Sequence, residues 1–213
     1  MDYCIEIDHV TKRFGEQTVL SSVSAQLETG KTHGLVGRNG SGKTVLMKCI
    51  LGFMPMTEGE IRVWGKRIGK DIDLPSDTGV IIEYPGFLPN YSGYANLKYL
   101  ADIRKKVGRD AVMEAIMRVG LDPTSRKPVG KYSMGMRQRL GLAQALMEKP
   151  KLLILDEPMN GLDNQGVRDM HEILLSLKDE GITIVLASHN EKDIDVLCDH
   201  VYEMDRGQMM QVR

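Results

Sequence analysis

The sequence predicts an α/β fold: a core of parallel strands with helices, preceded by an antiparallel β-subdomain and interrupted by an inserted helical subdomain. Three observations predict it. Near the start, apolar and polar residues alternate, as they do on half-buried strands. Further on, short all-apolar runs end abruptly in polar residues, as strands covered on both faces do. Between such runs, residues from about 88 to 149 carry apolar positions at helical spacing.

In chain order, Tyr3, Ile5 and Ile7 alternate with Cys4, Glu6 and Asp8, and after Gly15 the residues Val23, Ala25 and Leu27 oppose Ser24, Gln26 and Glu28. These read as antiparallel strands, with Phe14 at the turn between them. A lone aromatic at a turn is more often a turn or core residue than a ligand contact. Ile61-Arg62-Val63-Trp64 before Gly65-Lys66 is a further strand and turn. Val80-Ile81-Ile82 suits a buried parallel strand and leads into Glu83-Tyr84-Pro85-Gly86, a loop. Ser92 caps a helix containing Leu97, Leu100 and Ala101, and Val112, Ala115, Ile116 and Val119 form the stripe of another that Gly120 closes. Such stripes are core rather than cofactor box.

Leu152-Leu153-Ile154-Leu155 ends in Asp156-Glu157-Pro158, the form of a central parallel strand whose C-terminal edge faces a ligand. Val167, Met170, Leu174 and Leu177 mark an amphipathic helix ending at Gly181, and Thr183 to Ala187 is a buried strand ending at Ser188-His189. A last hairpin, Val201 to Met204 and Gln208 to Met210, turns at Asp205-Arg206-Gly207.

The chemistry centres on Gly37-Arg38-Asn39-Gly40-Ser41-Gly42-Lys43-Thr44, which follows Leu35-Val36 and fits G-x-x-x-x-G-K-[ST]. Its glycines let successive N–H groups point into one concavity. Lys43 supplies a full charge to β- and γ-phosphates. The helix beginning near Thr44 adds its N-terminal partial charge, and the Thr44 hydroxyl is a natural Mg²⁺ ligand. The competing reading is an ordinary glycine-rich turn; the full pattern favours a P-loop NTPase core. With a P-loop in the same chain, Asp156 at its strand end is placed to hold Mg²⁺, Glu157 to polarise an attacking water, and His189 to hold that water or the γ-phosphate. Taken alone, His189 reads as a structural histidine, and the two carboxylates fit helix caps as well as they fit a catalytic pair.

The 213 residues are 42% hydrophobic, enough for a sizeable core, and 28 basic residues against 29 acidic ones leave a net charge of −1. Nothing in that balance calls for nucleic acid. Cys4, Cys49 and Cys198 are odd in number and widely scattered, which suggests neither a disulfide framework nor a zinc site and fits a reducing cytoplasm. No run approaches a membrane span, so a membrane role requires a partner.

The ordered set Gly37 to Thr44, Ser133-Met134-Gly135-Met136-Arg137-Gln138, Asp156-Glu157-Pro158, Gly161-Leu162-Asp163 and His189 closely resembles the ATP-binding cassette (ABC) family over nearly the whole chain. Ser133-Met134-Gly135 resembles the signature L-S-G-G-Q, with Tyr132 at the Leu, Met134 at the first Gly and Met136 at the Gln. The resemblance implies a single nucleotide-binding domain over 1–213, with its helical signature subdomain inserted at about 88–149. It implies ATP and Mg²⁺ as cofactors, and a second cassette, a homodimer forming with ATP, so that Ser133 and Gly135 of one subunit contact the γ-phosphate bound to the other. Ser133 as an N-cap with Gly135 behind it offers an anion a hydroxyl and bare N–H groups.

By the same resemblance Gly37, Asn39, Gly40, Ser41, Gly42, Lys43 and Thr44 bind nucleotide, Phe14 matches the adenine-stacking aromatic, and Asp163 the loop that communicates across the dimer. Glu83 departs from the usual Gln that senses Mg²⁺ and the membrane partner. That Glu, with the signature Tyr-Ser-Met-Gly-Met, resembles the cassettes of bacitracin-type and lantibiotic-immunity exporters. The expected function is therefore ATP hydrolysis that drives a separate integral membrane permease, exporting a peptide antibiotic or another amphipathic compound. The expected place is cytoplasmic, peripheral on the inner face of the membrane. A soluble translation or repair ATPase is the first rival; the two cassettes or inserted coiled coil usual there are not found. A P-loop small-molecule kinase is the second, and it has no use for Ser133-Met134-Gly135.

Overall fold

A computed structural model describes residues 2–83 and 86–213. The chain divides into two compact units, one of residues 1–76 with 178–213 and one of residues 77–177.

The first unit opens with two long antiparallel strands, β1 (Tyr3–Phe14) and β2 (Gln17–Glu28), in which Ile7 faces Ala25 and Val10 faces Val23. The strict alternation expected at the start does not hold at Cys4. A bulge between Tyr3 and Ile5 places two residues of β1 against one of β2, so Cys4 turns inward and its thiol donates to the Leu27 carbonyl at 3.5 Å. β3 (Thr32–Val36) starts three residues before the apolar pair Leu35-Val36, because His33 is itself fully buried there. After it comes α1 (Lys43–Ile50), which packs on β2 and on β4 (Glu58–Val63). Its buried Leu46, Met47 and Ile50 each contribute about 1.5–3 kcal/mol of apolar transfer. β4 pairs with β1 and with the short β5 (Lys66–Arg67), so this sheet runs β2-β1-β4-β5.

The second unit begins with β6 (Thr78–Ile81), followed by the helices α2 (Gly93–Arg104) and α3 (Arg109–Arg118). Ser92 caps α2, its hydroxyl accepting from the Ala95 N–H at 3.2 Å, and Val112, Ala115 and Ile116 are the buried face of α3. A single 3₁₀ turn, Val129–Lys131, precedes α4 (Met134–Leu146), which packs on α3 and β6. β7 (Leu152–Asp156) is buried along its whole length and lies parallel to β6, with Val80 opposite Ile154. Val80 and Ile82, expected to be buried, are only half-buried: β6 is a terminal strand, with one side-by-side partner. Of the loop expected after it, Tyr84 and Pro85 lie outside the described residues. α5 (Asn164–Asp179) buries Met170, Leu174 and Leu177, the stripe its spacing predicts.

The remainder of the first unit is β8 (Thr183–Ala187), α6 (Glu191–Leu197), β9 (His200–Asp205) and β10 (Gln208–Gln211). β3 lies between β8 and β9, parallel to both, and β10 closes the edge as an antiparallel hairpin. Arg206 at φ 45 and Gly207 at φ 78 make its two-residue turn, with both dihedrals positive as the twist of a hairpin demands. The α/β class read from the sequence, with its β-rich start and helical insert, is the class of this fold.

All three cysteines are buried and free. Burial pushes the Cys4 and Cys49 thiols up to about 11 and the Cys198 thiol up to about 12, so none is a thiolate nucleophile at neutral pH.

Candidate nucleotide site

In the first unit, β3 delivers the chain into the loop Gly37 to Gly42. Gly37 has φ 141 and sits so close to β9 that a Cβ there would lie 2.2 Å from the Met204 carbonyl oxygen. Gly42 has φ 110, and its Cβ would lie 2.9 Å from the Leu20 side chain and 3.1 Å from the Val19 carbonyl. Both positions therefore need glycine for shape as well as for dihedral. The loop feeds α1 without a side-chain cap, which leaves the first-turn N–H groups of that helix to an anion.

Lys43 opens α1 and is only 6% exposed. Its ammonium donates to the carbonyls of Gly37 at 2.7 Å and Arg38 at 3.2 Å. These acceptors are neutral, so the buried positive charge is held in place without being cancelled. The Ser41 hydroxyl is buried with no hydrogen-bond partner among the described residues, and a buried unpaired hydroxyl costs about 1–3 kcal/mol. A cradle with an uncancelled cation, an unpaired hydroxyl and a helix N-terminus fits a phosphate chain. Asn39 and Gly40 are on its exposed rim, and Thr44 is half-buried in the first turn of α1.

His189 follows β8 and is exposed. It is steadied by its neighbours: the Ser188 hydroxyl donates to Asp193 at 3.0 Å and accepts the Asn190 N–H at 3.1 Å. Gly37, Arg38 and His189 line one cleft of about 870 Å³ in this unit, together with Glu203 and Arg206. The structure thus brings the start of the phosphate loop and His189 to one cleft. Phe14 ends β1 and is 46% exposed, with the Lys12 ammonium 4.8 Å from its ring centroid. One face of the ring is engaged by that cation, which the sequence reading missed although Lys12 lies two residues away.

In the second unit, Asp156 is the last residue of β7 and is 8% exposed. Glu157 adopts φ 51, a left-handed conformation unusual for a side chain of this size. Sequence carries no pointer to it, since a residue before proline is biased towards extended backbone. Asn160 donates back to the Glu157 carbonyl at 3.1 Å, and Leu162 to that of Met159 at 3.1 Å, so the segment is a tight double turn. Asp163, the residue before α5, accepts the Gly166 N–H at 2.7 Å. Glu83, exposed two residues after β6, also has positive φ, at 61.

Ser133 is the N-cap of α4, accepting the Met136 N–H at 3.2 Å, and is exposed. Behind it Gly135 is half-buried, and Tyr132 is buried at the base. Among the described residues no three His, Cys, Asp or Glu side chains form a metal-holding cluster. Mg²⁺ needs no such cage, because it is usually bound by one or two carboxylates with substrate phosphates. A hydroxyl at Thr44 and a carboxylate at Asp156 are the donor types it takes.

Residues 20–160 match the ABC transporter family. The uncharacterized ABC transporter ATP-binding protein YybJ of Bacillus subtilis is 43% identical, over 96% of this chain and 94% of that protein. The bacitracin transport ATP-binding protein BcrA of Enterococcus faecalis is 42% identical, over 99% of this chain and 69% of that one. The lantibiotic transport ATP-binding protein SrtF of Streptococcus pyogenes is 36% identical, over 97% and 89%. Among solved structures, the dimeric ATP-binding cassette MJ0796 bound to ADP and Pi superposes with a TM-score of 0.85 at 20% identity, covering 98% and 99% of the two chains, a likeness of fold. The cbiO1 protein of Clostridium perfringens, part of the ABC transporter complex cbiONQ, does so at 0.85 and 26%, covering 99% and 88%. The chain belongs to the ABC transporter family, as one of its ATP-hydrolysing cassettes. Among the described residues no helix is long and apolar enough to cross a membrane.

Proposed function

We propose that this cassette binds Mg-ATP, pairs with a second copy of itself when ATP is bound, and through that pairing drives a separate membrane permease. The observation that carries the reading is the glycine-shaped cradle around Lys43 and Ser41. Lys43 turns from the loop carbonyls to the β- and γ-phosphates, Ser41 gains a partner, and the loop N–H groups with the start of α1 hold the remaining oxygens. Thr44 and Asp156 would hold Mg²⁺, with Glu83 as a further oxygen ligand, and the metal would supply charge neutralisation for the phosphates. Glu157 orients and deprotonates the attacking water, His189 steadies the γ-phosphate, and Phe14 stacks on adenine. Ser133 and Gly135 reach the phosphate of the second copy, and Asp163 lies at the contact between copies. The domain is a single nucleotide-binding domain, with its signature subdomain inserted at about 88–149.

For the substrate, the support is the function for which two relatives are named, bacitracin and lantibiotic transport, together with Glu83 in place of the more usual Gln. The cassette then sits on the cytoplasmic face of the membrane, bound to its permease, and the cargo is a peptide antibiotic or a similar amphipathic compound. Deleting the gene tests this: the strain becomes more sensitive to bacitracin or to a lantibiotic and is restored by the wild-type gene but not by Lys43→Ala. Unchanged sensitivity to both contradicts the substrate reading.

A further inference from the structure

The loop that carries Glu157 is fastened to the first turns of α4 by three side chains, all within the second unit. Gln138 is 4% exposed, and its amide donates to the Asn160 carbonyl over a long 3.5 Å. Asn160 in turn donates to the Glu157 carbonyl, so the Gln138 contact is one residue pair removed from the catalytic carboxylate's own backbone. Met134, where the family signature has glycine, lays its sulfur over Gly161: a Cβ on Gly161, whose φ is 75, would stand 2.2 Å from that sulfur. Leu162 closes the third side, 3.5 Å from where a Cβ on Gly135 would be.

Gln138 is poorly suited to this place as a packing residue. Its amide oxygen is buried with no partner among the described residues, a state that destabilises the fold and that an apolar side chain of the same length avoids. Its amide is nonetheless aimed at the loop whose Glu157 holds a strained dihedral, and such dihedrals persist only where the surroundings over-determine them.

We propose that Gln138, backed by Met134, is a positioning residue for hydrolysis: it latches the signature helix to the loop bearing Glu157 within one chain, so that α4 sets where that carboxylate stands. The inference rests on the reading of Glu157 as the group that activates water. Gln138 touches neither nucleotide nor water, and it acts through Asn160. The latch makes the position of the signature helix and the competence of the neighbouring carboxylate one mechanical variable.

The test compares Gln138→Leu, Gln138→Met and Glu157→Gln in steady-state ATPase assays, with thermal unfolding on the same preparations. Removing the latch lowers kcat about tenfold with KM for ATP changed less than about twofold, the pattern of an interaction realised only in the transition state. Meanwhile Tm holds or rises, because the unpaired oxygen is gone. Met134→Gly, which frees only the Gly161 side, produces the smaller loss of kcat. An inactive Glu157→Gln protein beside fully active Gln138→Leu and Gln138→Met proteins overturns the latch alone. A Glu157→Gln protein with wild-type turnover removes the catalytic reading, and the latch with it. A fall of kcat that tracks a fall of Tm, or failure of both Gln138 variants to fold, makes Gln138 structural and overturns the proposal.

Discussion

Two apolar strands, β3 and β7, each end in a loop with chemistry in it, and the two loops are built on opposite principles. After β3, the positive dihedrals fall on Gly37, Gly40 and Gly42, where they carry no steric cost. After β7, the first positive dihedral falls on Glu157, a residue for which the left-handed region costs about 1–2 kcal/mol. The backbone of the glycine loop is thus free of dihedral strain, and the loop bearing Glu157 is held under strain by its neighbours. On the proposed function, binding belongs to the first and the control of hydrolysis to the second.

The largest effect expected from breaking this contrast is at Gly37. Gly37→Ala forces a methyl group against the Met204 carbonyl and imposes φ 141 on a residue with a Cβ, so it destabilises the fold by about 3 kcal/mol and lowers Tm by roughly 10 °C. Calorimetry reads the first part, and loss of fluorescent-ATP binding reads the second; a normal Tm with normal binding contradicts the cradle.

A smaller, sharper comparison is made at Glu157. Both Glu157→Ala and Glu157→Gly abolish turnover, but the glycine variant is the more stable of the two by about 1 kcal/mol, because it alone accepts φ 51 without strain. Urea unfolding decides it, and equal stabilities remove the strain from the account. At Glu83, whose φ is also positive, Glu83→Gln leaves ATP binding and most basal hydrolysis in place while weakening antibiotic resistance in the full complex, and Glu83→Ala weakens it further. Resistance at the wild-type level in both makes Glu83 a surface residue.

The smallest effect concerns His33 at the start of β3. Burial lowers its pKa, helped by the stacked His200 ring 5.3 Å away and opposed by the Glu28 carbonyl on its Nε2 at 2.9 Å. A histidine whose folded pKa lies below its unfolded one adds stability that is fully present above the unfolded value, near 6.5, and is lost as pH falls through the folded one. Stability therefore declines below about pH 6.5, and His33→Phe flattens that decline. Parallel pH profiles of Tm for the two proteins leave His33 without this role.

Much of this was legible beforehand, for physical reasons. Gly37, Gly42 and Lys43 announce themselves because backbone approach to an anion demands glycine beside a cation, and Asp156 because four apolar residues stop at it. The Ser92 cap was visible as a polar residue ahead of an apolar stripe, and the Ser133 cap through its place in the signature motif. What escaped was non-local. The inward Cys4 depends on a bulge and the half-exposed Val80 on β6 being terminal. The dihedral of Glu157 and the contact of Gln138 with Asn160 have no signature in local spacing, because residues far apart in sequence impose them.

The most direct test of the division between binding and hydrolysis measures Mg-ATP affinity and steady-state turnover on Lys43→Ala and Glu157→Gln side by side. Lys43→Ala is expected to lose both, whereas Glu157→Gln binds Mg-ATP as tightly as wild type, turns over on the order of 10²–10³-fold more slowly, and forms dimers with ATP in light scattering. A Glu157→Gln protein that hydrolyses ATP near the wild-type rate, or a Lys43→Ala protein that binds it normally, contradicts the account.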